Sequence, residues 1–238
     1  MKIPINIPDI DDEEIREVRN VLSEKSLTSS SFDGGTRVQQ FEKLLSKFVK
    51  SKFAVAVNSG TAALHLSLEV LGIRDGDEVI TTPFTFAATS NVIIMQNAKP
   101  VFVDIESETF NLDPLKIESA ISSKTKAIMP IHYAGQPCEM DAINEIAKKH
   151  DLKIVEDCAH AIGTLYEKKH VGTFGDTGCF SFYPTKNLTT FEGGMITSKA
   201  KRISEFLRKS RNHGIDKSLK DRFTKGLPWE FGIEELGF

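Results

Sequence analysis

Five short apolar runs punctuate the chain: AVAV from Ala54, VITT from Val79, PVFVDI from Pro100, AIMPI from Ala127 and KIVED from Lys153. Longer amphipathic or polar segments fill the intervals, a rhythm that marks repeated βαβ units. PVFVDI and AIMPI are apolar at consecutive positions rather than alternating ones, as strands are when helices cover both faces of their sheet. The expected fold is α/β: one three-layer α/β/α domain with a mainly parallel sheet. A length of 238 residues suffices for one large domain of this kind.

Ahead of the first strand, Asp11 and Asp12 can cap a helix in which Ile15, Val18 and Leu22 recur at helical spacing. Val38, Phe41, Leu45 and Phe48 repeat that pattern, and both segments read as packing helices. Between them LTSSSFDGG, from Leu27 to Gly35, is a polar glycine-ended loop that either lines a site or merely connects.

The formal net charge of -3 gives no electrostatic reason to expect nucleic acid or an anionic membrane, so a small molecule is the expected partner. Cys138, Cys158 and Cys179 are widely spaced and form no C-x-x-C pair, which argues against a disulfide framework and a zinc site and fits a reducing cytoplasm. The opening MKIPINIPDIDDEE turns acidic where a signal peptide would be apolar, and no stretch is long and apolar enough to span a membrane. Neither G-x-G-x-x-G nor G-x-x-x-x-G-K-[ST] occurs, which removes the main support for a nucleotide-binding α/β protein of another kind.

In open α/β sheets ligands sit beyond the carboxyl ends of the strands, so polar residues just after the apolar runs are the candidates for function. Ser59, Gly60 and Thr61 stand between AVAV and a helix opening at Ala62, where unpaired N–H groups make an anion site; taken alone, the tetrapeptide from Asn58 favours a plain helix cap. Asp157 ends KIVED, and a buried carboxylate needs a cationic or hydrogen-bonding partner; a cap for the following turn is an even alternative. His160 lies three residues on, so a helical turn would bring both side chains to the same side, although a lone histidine is more often structural. Lys186, in YPTKN after CFSF, could form a Schiff base, yet by itself it reads as a surface charge. Phe86 offers a flat face to a ring, or packs in the core beside Phe84; Ser181 either donates to phosphate or pairs within the sheet. The order of these residues is more specific than any one of them.

Taken together, NSGTAALHLSL, GDEVITTPFTFAATSNVI, AKPVFVDI, TKAIMPIHYAGQPCEMD, IVEDCAHAIGTLYE and GDTGCFSFYPTKNLTTFEGGM resemble the DegT/DnrJ/EryC1/StrS family of sugar aminotransferases, from about Asn6 to Phe238. The resemblance implies the large domain of a fold type I enzyme dependent on pyridoxal 5'-phosphate (PLP), spanning 1–238 with its amino-terminal helical segment. It also implies that the small carboxyl-terminal domain, which relatives carry beyond the EELGF that closes this chain, is absent. Lys186 matches the lysine that bonds the cofactor and moves the proton, and Asp157 the partner of the pyridine nitrogen. His160 matches the position beside the phenolic oxygen, where many relatives have Gln. Ser59, Gly60, Thr61 and Ser181 fall at the phosphate contacts, and Phe86 at the aromatic stacked on the ring.

Relatives with His at the lysine position dehydrate their substrates, so Lys186 points to transamination. The implied reaction carries an amino group from L-glutamate to a nucleotide-linked keto-deoxysugar, in a cytoplasmic homodimer that serves amino-sugar and polysaccharide synthesis. The competing expectation is a truncated, non-catalytic or regulatory relative that binds PLP weakly. LTSSSFDGG and the His132-Tyr133 pair are candidates for substrate contact.

Overall fold

The structure, a computed structural model, describes residues 6–25, 33–215 and 231–237, together with positions 221, 224, 227 and 229. Residues 27–32 of the LTSSSFDGG stretch lie outside the described residues. Helix α1 (Asp12–Glu24) begins with a reciprocal cap: Glu13 N–H donates to Asp11 at 2.7 Å, and Asp11 N–H donates to Glu14 at 2.9 Å. None of its residues is buried, and Ile15, Val18 and Leu22 face solvent. The expectation that α1 packs its apolar stripe is therefore not met by any described neighbour. Helix α2 (Thr36–Val49) does pack, burying Leu45 and Val49 with Phe41 alongside.

The βαβ rhythm is realised as β1 (Phe53–Val57), α3 (Gly60–Val70), β2 (Glu78–Thr81), α4 (Ala87–Met95) and β3 (Lys99–Phe102). There follow α5 (Pro114–Ile117), β4 (Thr125–Ile128), α6 (Met140–Lys149), β5 (Lys153–Asp157), a two-stranded ribbon of β6 (Leu165–Tyr166) and β7 (Lys169–His170), β8 (Thr177–Ser181), β9 (Gly194–Ser198) and α7 (Lys201–Ser210). The main sheet has the order β1-β9-β8-β5-β4-β2-β3. Pairs from β3 through β8 are parallel, and β9 runs antiparallel to both β8 and β1.

Successive side chains of a strand point to opposite faces, and the core divides accordingly. Val79 and Val155 meet Leu64, Leu68, Val92 and Ile203 from α3, α4 and α7 on one face. Ile80, Ile128 and Ile154 meet Ile117, Met140 and Ile143 from α5 and α6 on the other. These are the three layers anticipated from consecutive apolar positions. PVFVDI is the exception, because β3 is an edge strand that pairs only with β2 and leaves Phe102 half exposed. Cys138, Cys158 and Cys179 are buried free thiols, and among the described residues no helix is long and apolar enough to cross a membrane.

β9 passes so close to the start of α3 that a Cβ on Gly194 would run into the Ser59 carbonyl. Gly194→Ala is therefore expected to cost about 1–3 kcal/mol, the usual scale of overpacking. Urea unfolding would measure this as a lowered midpoint, and an unchanged midpoint would refute the close approach.

Candidate active site

The loops leaving the carboxyl ends of β1, β2, β4, β5 and β8 surround a cavity of about 730 Å³. Because β9 is antiparallel, its amino end lies on the same side and adds Glu192. Ser59, Gly60 and Thr61 enter from β1, Phe86 from β2, Asp157 and His160 from β5, and Ser181 and Lys186 from β8. All eight residues matched to cofactor contacts in the sequence thus line one space.

At the end of β1, Ser59 is the N-cap of α3, its Oγ accepting from Ala62 N–H at 3.0 Å. The hydroxyl proton remains available for a second partner. Gly60 and Thr61 occupy the first turn, where N–H groups have no acceptor within the helix, and the helix dipole favours an anion. Gly60 fits closely over β8: a Cβ there would lie 2.8 Å from the Ser181 Cβ. The cap is formed, and it leaves the first-turn N–H groups facing the cavity.

At the end of β5, Asp157 is buried and met at each oxygen by one donor, Thr89 Oγ1 to Oδ2 at 3.0 Å and Ala159 N–H to Oδ1 at 3.1 Å. No helix follows; residues 158–161 form a turn that still brings His160 to the cavity, where its ring lies edge-on to Tyr133. Burial lowers the His160 pKa, aided by the nearby Lys186 cation and opposed by Asp157. The imidazole is thus a neutral hydrogen-bonding group. Phe86 is not a core aromatic: it is 77% exposed at the start of α4, with its ring free to cover a ligand.

Lys186 lies in the loop joining β8 to β9, its N–H bonded to Tyr183 O at 2.9 Å. Burial lowers the pKa of its amine while Asp157 pulls the other way, so the neutral, nucleophilic form is more accessible than on an exposed lysine. The Asn6 side-chain amide donates to the Lys186 carbonyl at 2.9 Å, pinning this loop to the amino-terminal segment. Nothing in the sequence near Asn6 signals that role.

His132 and Tyr133 behave differently. Tyr133 lines the cavity beside Phe84, but His132 is completely buried and cannot touch a substrate. Its Nε2 lies 3.2 Å from Glu156 Oε2, and its Nδ1 accepts from Cys138 N–H at 3.1 Å. Glu156 also receives the N–H groups of Gly172, Phe174 and Gly175, each at 2.7 Å. His132, Glu156 and Cys158 have the composition of a metal centre. The carboxylate is instead already met by four donors, and burial holds the Cys158 thiol protonated. Thr85, Thr89 and Glu192 also face the cavity without having been singled out. The TTPFTF stretch beyond VITT satisfies the same strand-end criterion and carries the signal for Thr85.

The fold is that of fold type I PLP aminotransferases. The chain belongs to the DegT/DnrJ/EryC1/StrS aminotransferase family, whose model matches residues 8–235. It is 45% identical to the spore coat polysaccharide biosynthesis protein SpsC of Bacillus subtilis over 99% of this chain and 59% of that protein. Among solved structures, it is similar to Helicobacter pylori PseC, an aminotransferase involved in the biosynthesis of pseudoaminic acid (TM-score 0.90, 33% identity, 100% of this chain and 61% of that one). It is also similar to DesI, solved in the presence of its TDP-sugar product (TM-score 0.82, 32% identity, 89% and 53%). The chain spans 58% and 59% of the length of the two curated relatives it matches most extensively here.

PLP is the cofactor of this family, and the side chains present fit it. The buried Asp157 suits a protonated ring nitrogen, the first turn of α3 a phosphate, the exposed Phe86 a ring face and the Lys186 amine an aldehyde.

Proposed function

We propose that this chain is the catalytic large domain of a PLP-dependent sugar aminotransferase that moves an amino group from L-glutamate to a nucleotide-activated keto-deoxysugar. The observation that carries this reading is the convergence of Lys186, Asp157, Phe86 and the amino end of α3 on one cavity at the carboxyl edge of the sheet. When bound, PLP supplies an electron sink for charge developed at the carbon that bears the transferring nitrogen.

The protein's own groups have separate tasks. Lys186 would hold the cofactor through its amine and, once displaced by substrate, would move a proton between the substrate carbon bearing the transferring nitrogen and the cofactor. Asp157 supplies the counter-charge at the ring nitrogen. Ser59, Gly60, Thr61 and Ser181 hold the phosphate, Phe86 covers the ring face, and His160 donates or accepts as a neutral imidazole beside the phenolic oxygen. The products named for SpsC and PseC, and the TDP-sugar of DesI, support an activated sugar as acceptor in amino-sugar or surface-polysaccharide synthesis. The working form is a cytoplasmic homodimer.

Mixing the chain with PLP and then with glutamate tests the reading. A visible absorbance band is expected to form and then bleach as 2-oxoglutarate appears. If glutamate leaves the band unchanged, with no 2-oxoglutarate formed, the assignment is wrong.

A further inference from the structure

The first turn of α4 holds the clearest unexplained arrangement near the cavity. Thr89 is buried, and its hydroxyl lies 3.0 Å from Asp157 Oδ2 and 2.8 Å from the Thr85 hydroxyl. An ionised carboxylate has no proton to give, so Thr89 must donate to Asp157. A hydroxyl has one proton, so the oxygen of Thr89 must then accept from Thr85. The chain of donors runs one way: Thr85 to Thr89 to Asp157. Such chains polarise one another, and the terminal bond to the carboxylate is strengthened. The backbone ties the same turn to Phe86, because Thr89 N–H donates to Phe86 O at 3.1 Å.

We propose that Thr89, backed by Thr85, is a positioning residue that orients the Asp157 carboxylate toward the cofactor's ring nitrogen and tempers its pull on the ring proton. Oδ2 keeps a second lone pair after accepting from Thr89, and Oδ1 keeps one after accepting from Ala159 N–H, so the carboxylate is held from two sides with acceptor capacity to spare. Rotation of the carboxylate would break one of these bonds. The same turn therefore anchors the backbone of Phe86 and holds the carboxylate of Asp157. This inference rests on the cofactor reading given under Proposed function.

The test compares Thr89→Val, which keeps the shape and loses the donor, with Thr89→Ser, which keeps the donor. Each chain is titrated with PLP, and the absorbance band of the loaded protein is followed against pH. In Thr89→Val the carboxylate draws more strongly on the ring proton, and the less cationic ring withdraws less charge from the nitrogen linked to Lys186. That nitrogen then keeps its proton to higher pH. The spectral midpoint is expected to rise by up to about one pH unit, and the PLP dissociation constant by about tenfold, because the carboxylate loses its fixed aim at the ring nitrogen.

Thr89→Ser should restore both quantities, and Thr85→Val should move the midpoint upward by less. A folded Thr89→Val with an unmoved midpoint overturns the proposal. Should that variant fail to fold, Thr85→Val decides: an upward shift supports the relay and no shift overturns it. A chain without substitutions that forms no band with PLP would overturn the cofactor reading itself, and the relay with it.

Discussion

Lys186→Ala is expected to abolish the visible band that PLP forms with this chain and to slow amino transfer by about 10²–10⁴-fold, the range for loss of a positioned acid/base group. The expectation follows from geometry as much as from residue type. The amine lies in the cavity that also holds Asp157 and Phe86, and burial makes its neutral form accessible. The phosphate and ring contacts survive the substitution, so PLP should still bind, measurably weaker, by fluorescence titration. Lys186→Arg keeps the positive charge but supplies no free amine, and it should fail in the same way. A band and rate that persist in Lys186→Ala would show that another amine holds the cofactor.

Glu156→Gln should produce the largest loss of stability, about 1–3 kcal/mol for each buried donor left unpaired. An amide in place of the carboxylate presents an NH₂ to backbone donors that already point at that position, whichever way it is turned. Burial alone would push the Glu156 carboxyl up, but the His132 ring and the N–H groups of Gly175 and Gly172 outweigh it and hold it below its ordinary value. A depressed carboxyl contributes stability that is fully present above the unfolded value of about 4.3 and is lost as pH falls through the folded one. The unsubstituted chain should therefore lose stability on acidification below about pH 4.3, and Glu156→Gln should show a flatter dependence there. Urea midpoints measured across that range would reveal the difference, and parallel curves would refute the assigned role.

Where the sequence reading succeeded and failed follows from which interactions are local. Strand runs such as AIMPI declare themselves because burial on both faces leaves an unbroken apolar signature. Ser59 is legible as a helix cap because a strand run is followed at once by a helical pattern opening at Ala62. β9 was not anticipated, since GMITS is short and its pairing with β1 joins opposite ends of the chain. α1 carries a helical stripe that the described residues leave uncovered, because periodicity reports the helix and not its partner. By sequence His132 is a candidate for substrate contact, yet its buried ring bonds to Glu156 and Cys138 instead. Thr89 and Asn6 escaped notice because their roles depend on loops distant in sequence.

The place of β9 between β1 and β8 also bears on how this domain acquires its shape. β1, made early, has its hydrogen-bonding partner only in the last strand of the sheet, so its edge waits until nearly the whole domain has left the ribosome. Long-range pairing of this kind is slow, because loop closure precedes its reward. The turn after β1 and the lysine loop before β9 are brought together by that same final closure. Competence to bind a cofactor is thus a late event in folding, and a nascent chain that lacks β9 presents an open sheet edge suited to chaperone capture.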